Sequence, residues 1–149
     1  MNAIRRNFLV GVGATLVLTA CGPGGPGSIT INAQGSAGMN PGPDGTDRPL
    51  TLTIVQMKGP GAFDAADYYA LQDPANALGG DLLKTDQLVV EPGKATSKAI
   101  ALEVGATVVG VIAGYRSPAG KAFRAKTAAK NNAKLNVSVG SGGIQLAPA

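Results

Sequence analysis

Leu50–Met57 reads LTLTIVQM. Leu50, Leu52 and Ile54 alternate with threonine, the two-residue period of a strand with one buried and one wet face. Threonine and branched aliphatics also suit a pleated backbone. Residues 28–34, SITINAQ, carry the same rhythm through Ile29, Ile31 and Ala33. Downstream it returns in DQLVV (86–90), SKAIALEV (97–104), TVVGVIAGYR (107–116), AFRAKTA (122–128), AKLNVSV (133–139) and IQL (144–146). Turn residues separate them, as in Glu91-Pro92-Gly93 and Ser117-Pro118-Ala119-Gly120. About eight short strands at roughly ten-residue spacing predict an all-β sandwich.

Two segments depart from this rhythm. Residues 35–49, GSAGMNPGPDGTDRP, are dense in Gly, Pro, Asn and Asp and read as an exposed loop. Asn40-Pro41 and Asp44-Gly45 pin turns that hold it away from the sandwich, with Met39 as an exposed apolar anchor and Asn40 and Asp44 as polar contacts. A connection this long inside a small domain is expected to be functional or disordered. Residues 62–72, AFDAADYYALQ, place Phe63, Ala66, Tyr69 and Ala70 at helical spacing, with Asp64 in the first turn and Pro74 as the stop. One helix is predicted after the second strand, its Phe63 and Tyr69 plugged onto the sandwich as core residues.

The N-terminus is of another kind. Arg5 and Arg6 precede an uncharged, mostly apolar run over residues 8–20. As a helix it would span about 20 Å at ~1.5 Å per residue, short of a hydrocarbon core of roughly 30 Å. It fits the apolar region of a secretory signal instead. Leu18-Thr19-Ala20-Cys21 then resembles the lipobox of bacterial lipoproteins, and Cys21 is the chain's single cysteine. That resemblance implies cleavage before Cys21 and acylation of its sulfur and new amino group. Two or more acyl chains anchor a protein stably, where one does not. Gly22 follows Cys21, where lipoproteins kept at the inner membrane commonly carry Asp, so the resemblance favours the outer membrane. GPGGPG (22–27) reads as a tether; a coil of this length spans only about 13 Å root-mean-square. The expected organisation is a signal over 1–20, lipidated Cys21 and tether over 21–27, and a periplasmic β-sandwich over 28–149.

Removal of residues 1–20 leaves 129 of 149 residues, enough for one domain with a core. The formal charge of +4 falls to +2, because Arg5 and Arg6 go with the signal. That is too small to argue for nucleic acid. An acylated Cys21 leaves no disulfide. The chain has no histidine, which excludes Ser-His-Asp and Cys-His catalysis and His-ligated zinc. Tryptophan is absent too, which weakens any aromatic platform for sugars or single strands.

Paired carboxylates occur at Asp64 and Asp67 and at Asp44 and Asp47, and they read as solvated helix and turn residues. The acids of 40–47 miss the alternating positions of a calcium loop and lack its distal Glu. The glycines of GVG (11–13) lie in the signal, and those of GSGG (140–143) precede a strand, so neither group cradles phosphate. After Glu103 there is no acid, yet the chain carries Arg116, Lys121, Arg124, Lys126, Lys130 and Lys134. These cations read as a rim guarding edge strands, or as a basic side facing anionic headgroups or an acidic partner.

Four segments in order behind the lipobox, MNPGPDGTDRPL, LTIVQMKGPGAFDAADYYAL, LGGDLLKTDQLVVEPGK and VVGVIAGYR, are similar to the outer-membrane lipoprotein of bacterial type VI secretion systems, the TssJ family. The resemblance implies a transthyretin-like β-sandwich with a helical insertion after the second strand. It implies a non-enzymatic assembly lipoprotein with no cofactor, which binds the periplasmic part of the inner-membrane protein TssM through the loop between the first two strands. By position that loop offers Met39, Asn40, Pro41, Asp44, Gly45, Asp47 and Arg48. The competing reading is a periplasmic lipoprotein that binds or transports a small ligand, for which an apolar pocket in the sandwich is the discriminating feature.

Overall fold

A computed structural model describes residues 27–149; the expected signal (1–20), the expected lipidation site Cys21 and the expected tether up to residue 26 lie outside them. Eight strands form two four-stranded sheets. The first has the order β4 (Ala95–Ala101), β1 (Ser28–Gly35), β7 (Ala133–Gly140), β8 (Gly143–Pro148). The second has the order β3 (Leu82–Val90), β2 (Leu50–Met57), β5 (Val108–Ala113), β6 (Arg124–Ala128). Neighbours are antiparallel except β1 and β7, which run parallel with Ile29 opposite Ala133 and Ile31 opposite Leu135.

The alternating residues close face to face. Ile29 and Ile31 of β1 and Leu135, Val137 and Val139 of β7 meet Leu50, Leu52 and Ile54 of β2 and Val109 and Val111 of β5. Gln56 is the polar exception inside this layer, and it is satisfied: its Nε2 donates to Ala101 O at 2.7 Å and its Oε1 accepts from Glu103 N–H at 2.8 Å. It thereby ties β2 to the end of β4.

The expected single helix is three short ones, α1 (Gly61–Ala65), α2 (Tyr68–Leu71) and α3 (Pro74–Leu78), followed by a 3-10 turn (Gly79–Asp81). They cover the outer face of the second sheet, where Phe63, Leu71 and Leu78 pack on Val55, Met57 and Ile112. Phe63 is core as expected. Tyr69 is not: it is 77% exposed. Asp67 starts α2 anew by accepting from Ala70 N–H, and this restart turns the Tyr69 ring outward. β4 stops at Ala101, three residues before the expected end at Val104.

Strand direction creates two poles. Ser28, the end of β2 and the start of β5 lie at one, which we call the tether pole because the expected tether leads into Ser28. The β1–β2 loop, the β3–β4 turn and the end of β5 lie at the other, about 26 Å away for an eight-residue strand at ~3.3 Å per residue.

Candidate functional site

The loop between β1 and β2 is a small hairpin with a root and a tip. Gly45 N–H donates to Gly42 O at 3.0 Å, and Gly42 N–H donates to Thr46 O at 2.8 Å. Pro43 and Asp44 occupy the turn, and Gly45 takes φ +78, a left-handed value that suits glycine. This is a type I turn with a following bulge, and Pro-Asp-Gly supplies each position with the backbone it favours. Asp44 stiffens the tip, with Oδ1 accepting from Thr46 N–H at 3.1 Å and Oδ2 from Arg48 Nη2 at 3.3 Å. The Thr46 N–H first, with Arg48 adding to it, holds the Asp44 carboxyl below its ordinary value. Pro41, Pro43, Asp44, Gly45, Thr46 and Arg48 are exposed.

The root lies inside the protein, against the expectation of a loop held wholly outside. Met39 is fully buried and belongs to the sandwich core, so it is not an exposed anchor. It is the one long apolar side chain in the loop, and a loop that must be held still places it inward. Asn40 is buried as well, with its amide facing inward: Nδ2 donates to Pro49 O at 3.2 Å, and Oδ1 accepts from Arg116 N–H at 3.0 Å. Asp47 closes the base, accepting from Gly38 N–H at 2.6 Å and Asn40 N–H at 2.8 Å. The Asn40 bond, then burial acting against it, then the Gly38 bond set its carboxyl, with a net shift below the ordinary value. The seven sequence-predicted residues thus fall into root (Met39, Asn40, Asp47) and tip (Pro41, Asp44, Gly45, Arg48).

Aromatic residues flank the root, and the loop sequence gave no sign of them. Tyr115 is buried, donates from Oη to Gly140 O at 2.8 Å, and burial pushes its phenol up to about 12. Tyr68 donates from its hydroxyl to Tyr115 O and stacks edge-on against Tyr69 and Phe123, with ring centroids 5.3 and 5.2 Å apart. Lys121 sits over the Tyr115 ring at 4.8 Å. A chain of contacts therefore runs from the hairpin root through Arg116 and Tyr115 to the exposed Tyr69.

The basic segment does not form one face. Arg124 donates to Phe63 O, Asp64 O and Ala66 O, closing the C-terminal end of α1, and Lys126 pairs with Asp64. Arg116 and Lys121 stand beside the hairpin; Lys130 and Lys134 stand at the tether pole. The paired carboxylates are engaged in the fold, Asp67 as a helix cap, Asp64 with Lys126, Asp44 and Asp47 within the hairpin. Two open depressions of about 500 and 460 Å³ lie outside the sandwich interior. Asn32, Gln34, Thr96, Ser97, Asn136 and Ser138 furnish the polar lining of the first.

Residues 27–142 match the family model T6SS-SciN, described as the type VI secretion lipoprotein VasD, EvfM, TssJ. No curated protein matches the chain. Among solved structures, the lipoprotein TssJ1 of the type VI system of Pseudomonas aeruginosa is 26% identical, with a TM-score of 0.75 over 84% of this chain and 98% of that one. Lip of Serratia marcescens, a membrane-bound component of the type VI secretion system, is 20% identical, with a TM-score of 0.76 over 83% of this chain and 97% of that one. A chain in the structure described as the TssM C-terminal domain (869–1107) from EAEC is 21% identical, with a TM-score of 0.72 over 83% of this chain and 99% of that one.

Proposed function

Because the chain belongs to the type VI secretion lipoprotein family, we propose that it is anchored in the outer membrane by acylated Cys21 and docks the periplasmic domain of a TssM-like inner-membrane protein. Docking helps assemble the trans-envelope complex and involves no catalysis. The observation that carries this reading is the hairpin: an exposed Pro-Asp-Gly tip on a root locked into the core by Met39 and Asn40. A rigid, projecting tip loses little conformational freedom on binding, which favours it as a recognition element. The third structural match adds support. Its matched chain has about the length of this domain, roughly half of the span 869–1107, which fits a companion of that fragment carrying this fold. Position supports it too, since the hairpin lies at the pole opposite Ser28, where the tether enters.

The tip residues Pro41, Asp44, Gly45 and Arg48 supply the contacts, and the root residues Met39, Asn40 and Asp47 hold them in place. Binding is measured with purified domains, this sandwich against the periplasmic domain of the cognate inner-membrane protein. Asp44→Ala and Arg48→Ala each weaken affinity about tenfold or more, with melting temperatures close to the parent's, as for truncation of interface contacts worth over ~1 kcal/mol. Parent-like affinity in both variants refutes docking through the tip.

A further inference from the structure

The tether pole carries an apolar side chain that nothing in the fold requires. The β4–β5 connection turns over Glu103-Val104-Gly105-Ala106, with Ala106 N–H donating to Glu103 O at 3.2 Å and Gly105 at φ +89. Val104 stands at the crown of this turn and is 92% exposed, the highest value among the exposed large apolar residues described. It lies beside the point where the chain enters: Leu102 N–H donates to Gly27 O at 2.7 Å. Lys130 and Asn132 form the neighbouring turn, where Asn132 N–H donates to Ser28 O at 2.8 Å. Lys134 is paired in register with Thr30, and Lys58 follows the end of β2 at the same pole. All three lysines are exposed and none is in an ion pair among the described residues. Asp81 and Glu103 are the acids of this pole, and Glu103 faces Lys84 at 3.9 Å.

We propose that the tether pole is a membrane-contact surface, on which Val104 enters the boundary between headgroups and acyl chains while Lys58, Lys130 and Lys134 meet anionic lipid phosphates. The proposal rests on acylation of Cys21. Six residues of tether, Gly22 to Gly27, hold this pole within about 13 Å of the anchored cysteine on average. That distance is under two screening lengths of ~8 Å at physiological salt, so lysines here lie within reach of the headgroup potential. An apolar crown ringed by lysines is the pattern of interfacial membrane contact. The hairpin pole is then turned away from the lipid.

The chain has no tryptophan, so a single introduced one reports its own surroundings. Val104→Trp and, as the control at the hairpin pole near the end of β3, Val89→Trp are made in the full acylated protein and reconstituted into phosphatidylethanolamine–phosphatidylglycerol vesicles with brominated acyl chains. Labelled palmitate on Cys21 is read in the same samples. The expected result is a blue shift and loss of emission at 104 but not at 89, with Lys58→Gln, Lys130→Gln and Lys134→Gln together restoring part of the emission at 104. Equal emission at both positions in palmitate-bearing protein overturns the membrane pole and leaves the anchor standing. Shielding of position 104 by the inner-membrane partner domain and not by lipid makes the pole a protein interface and overturns it too. Absence of palmitate from Cys21 removes the anchor, and the membrane pole with it.

Discussion

The side chain of Asn40 does the work of a backbone segment: it receives the Arg116 N–H and supplies a donor to the Pro49 carbonyl, bridging the two segments just beyond the point where the β2–β5 pairing ends. Asn40→Ala removes both partners at once. It is expected to lower stability by about 1–3 kcal/mol, the range for leaving partly buried backbone groups without partners, and the fall is read in a thermal melt. Asp47 works beside it and gives the loop a pH dependence. Its carboxyl is held below the unfolded value of 3.8, chiefly by the Asn40 N–H, so its contribution is complete above that value and is lost as pH falls through the lowered folded one. Amide exchange checks this: the protection factors of Gly38 and Asn40 drop in that acid window before those of the central strands. Met39 shows why composition misjudged this loop. Gly, Pro and Asp mark a connection as exposed on average, whereas one long apolar side chain among them is enough to fasten its base.

At the scale of elements, the helical insertion depends on one ring and one missing side chain. Phe63 of α1 lies against Gly110 of β5, where a Cβ would come within 2.8 Å of Phe63 Cε2 and 3.0 Å of Met57 Cε. Phe63→Ala is expected to cost about 3–5 kcal/mol, the usual loss for a buried aromatic. Gly110→Ala is expected to cost about 1–3 kcal/mol by overpacking the same contact from the other side. Denaturant melts of the two variants and of their combination check this, and the double variant should cost less than the sum because the clash disappears with the ring. The strands were legible because each runs long enough for alternation to repeat. The helices were only partly so: four- and five-residue elements are too short to show a 3.6-residue period. Their starts were written all the same, in Asp67 before α2 and in Asp73-Pro74 before α3. Read as one helix, the segment buries Tyr69; read as capped pieces, it presents Tyr69 to solvent next to the loop's aromatic neighbours.

Across the whole molecule, alternation reveals which strands exist but not which strands they pair with, so the parallel pairing of β1 with β7 and the order of each sheet were not in the pattern. Those pairings decide what the hairpin rests on. Its first residue, Ser36, donates from N–H to Val139 O of β7 at 2.9 Å, and the β3–β4 turn clasps Gly35 through Gly93 N–H at 3.0 Å. The loop is therefore mounted on both sheets, and its tip and root should answer differently to replacement. Substituting residues 43–46 with Gly and Ser while keeping Met39, Asn40, Asp47 and Arg48 leaves every root contact in place. It should shift stability by about 1 kcal/mol or less, through the lost turn preferences of Pro43 and Gly45. Replacing all of residues 39–47 removes Met39 from the core and should cost about 2–5 kcal/mol. Docking through the tip predicts that both proteins lose the inner-membrane partner, but that the tip-replaced one loses it while melting like the parent. The measurement is partner affinity beside thermal melts for the two replacements. A tip-replaced protein that melts and binds like the parent moves docking off the hairpin, and the exposed Tyr69, joined to the same root through Tyr68 and Tyr115, becomes the next surface to alter.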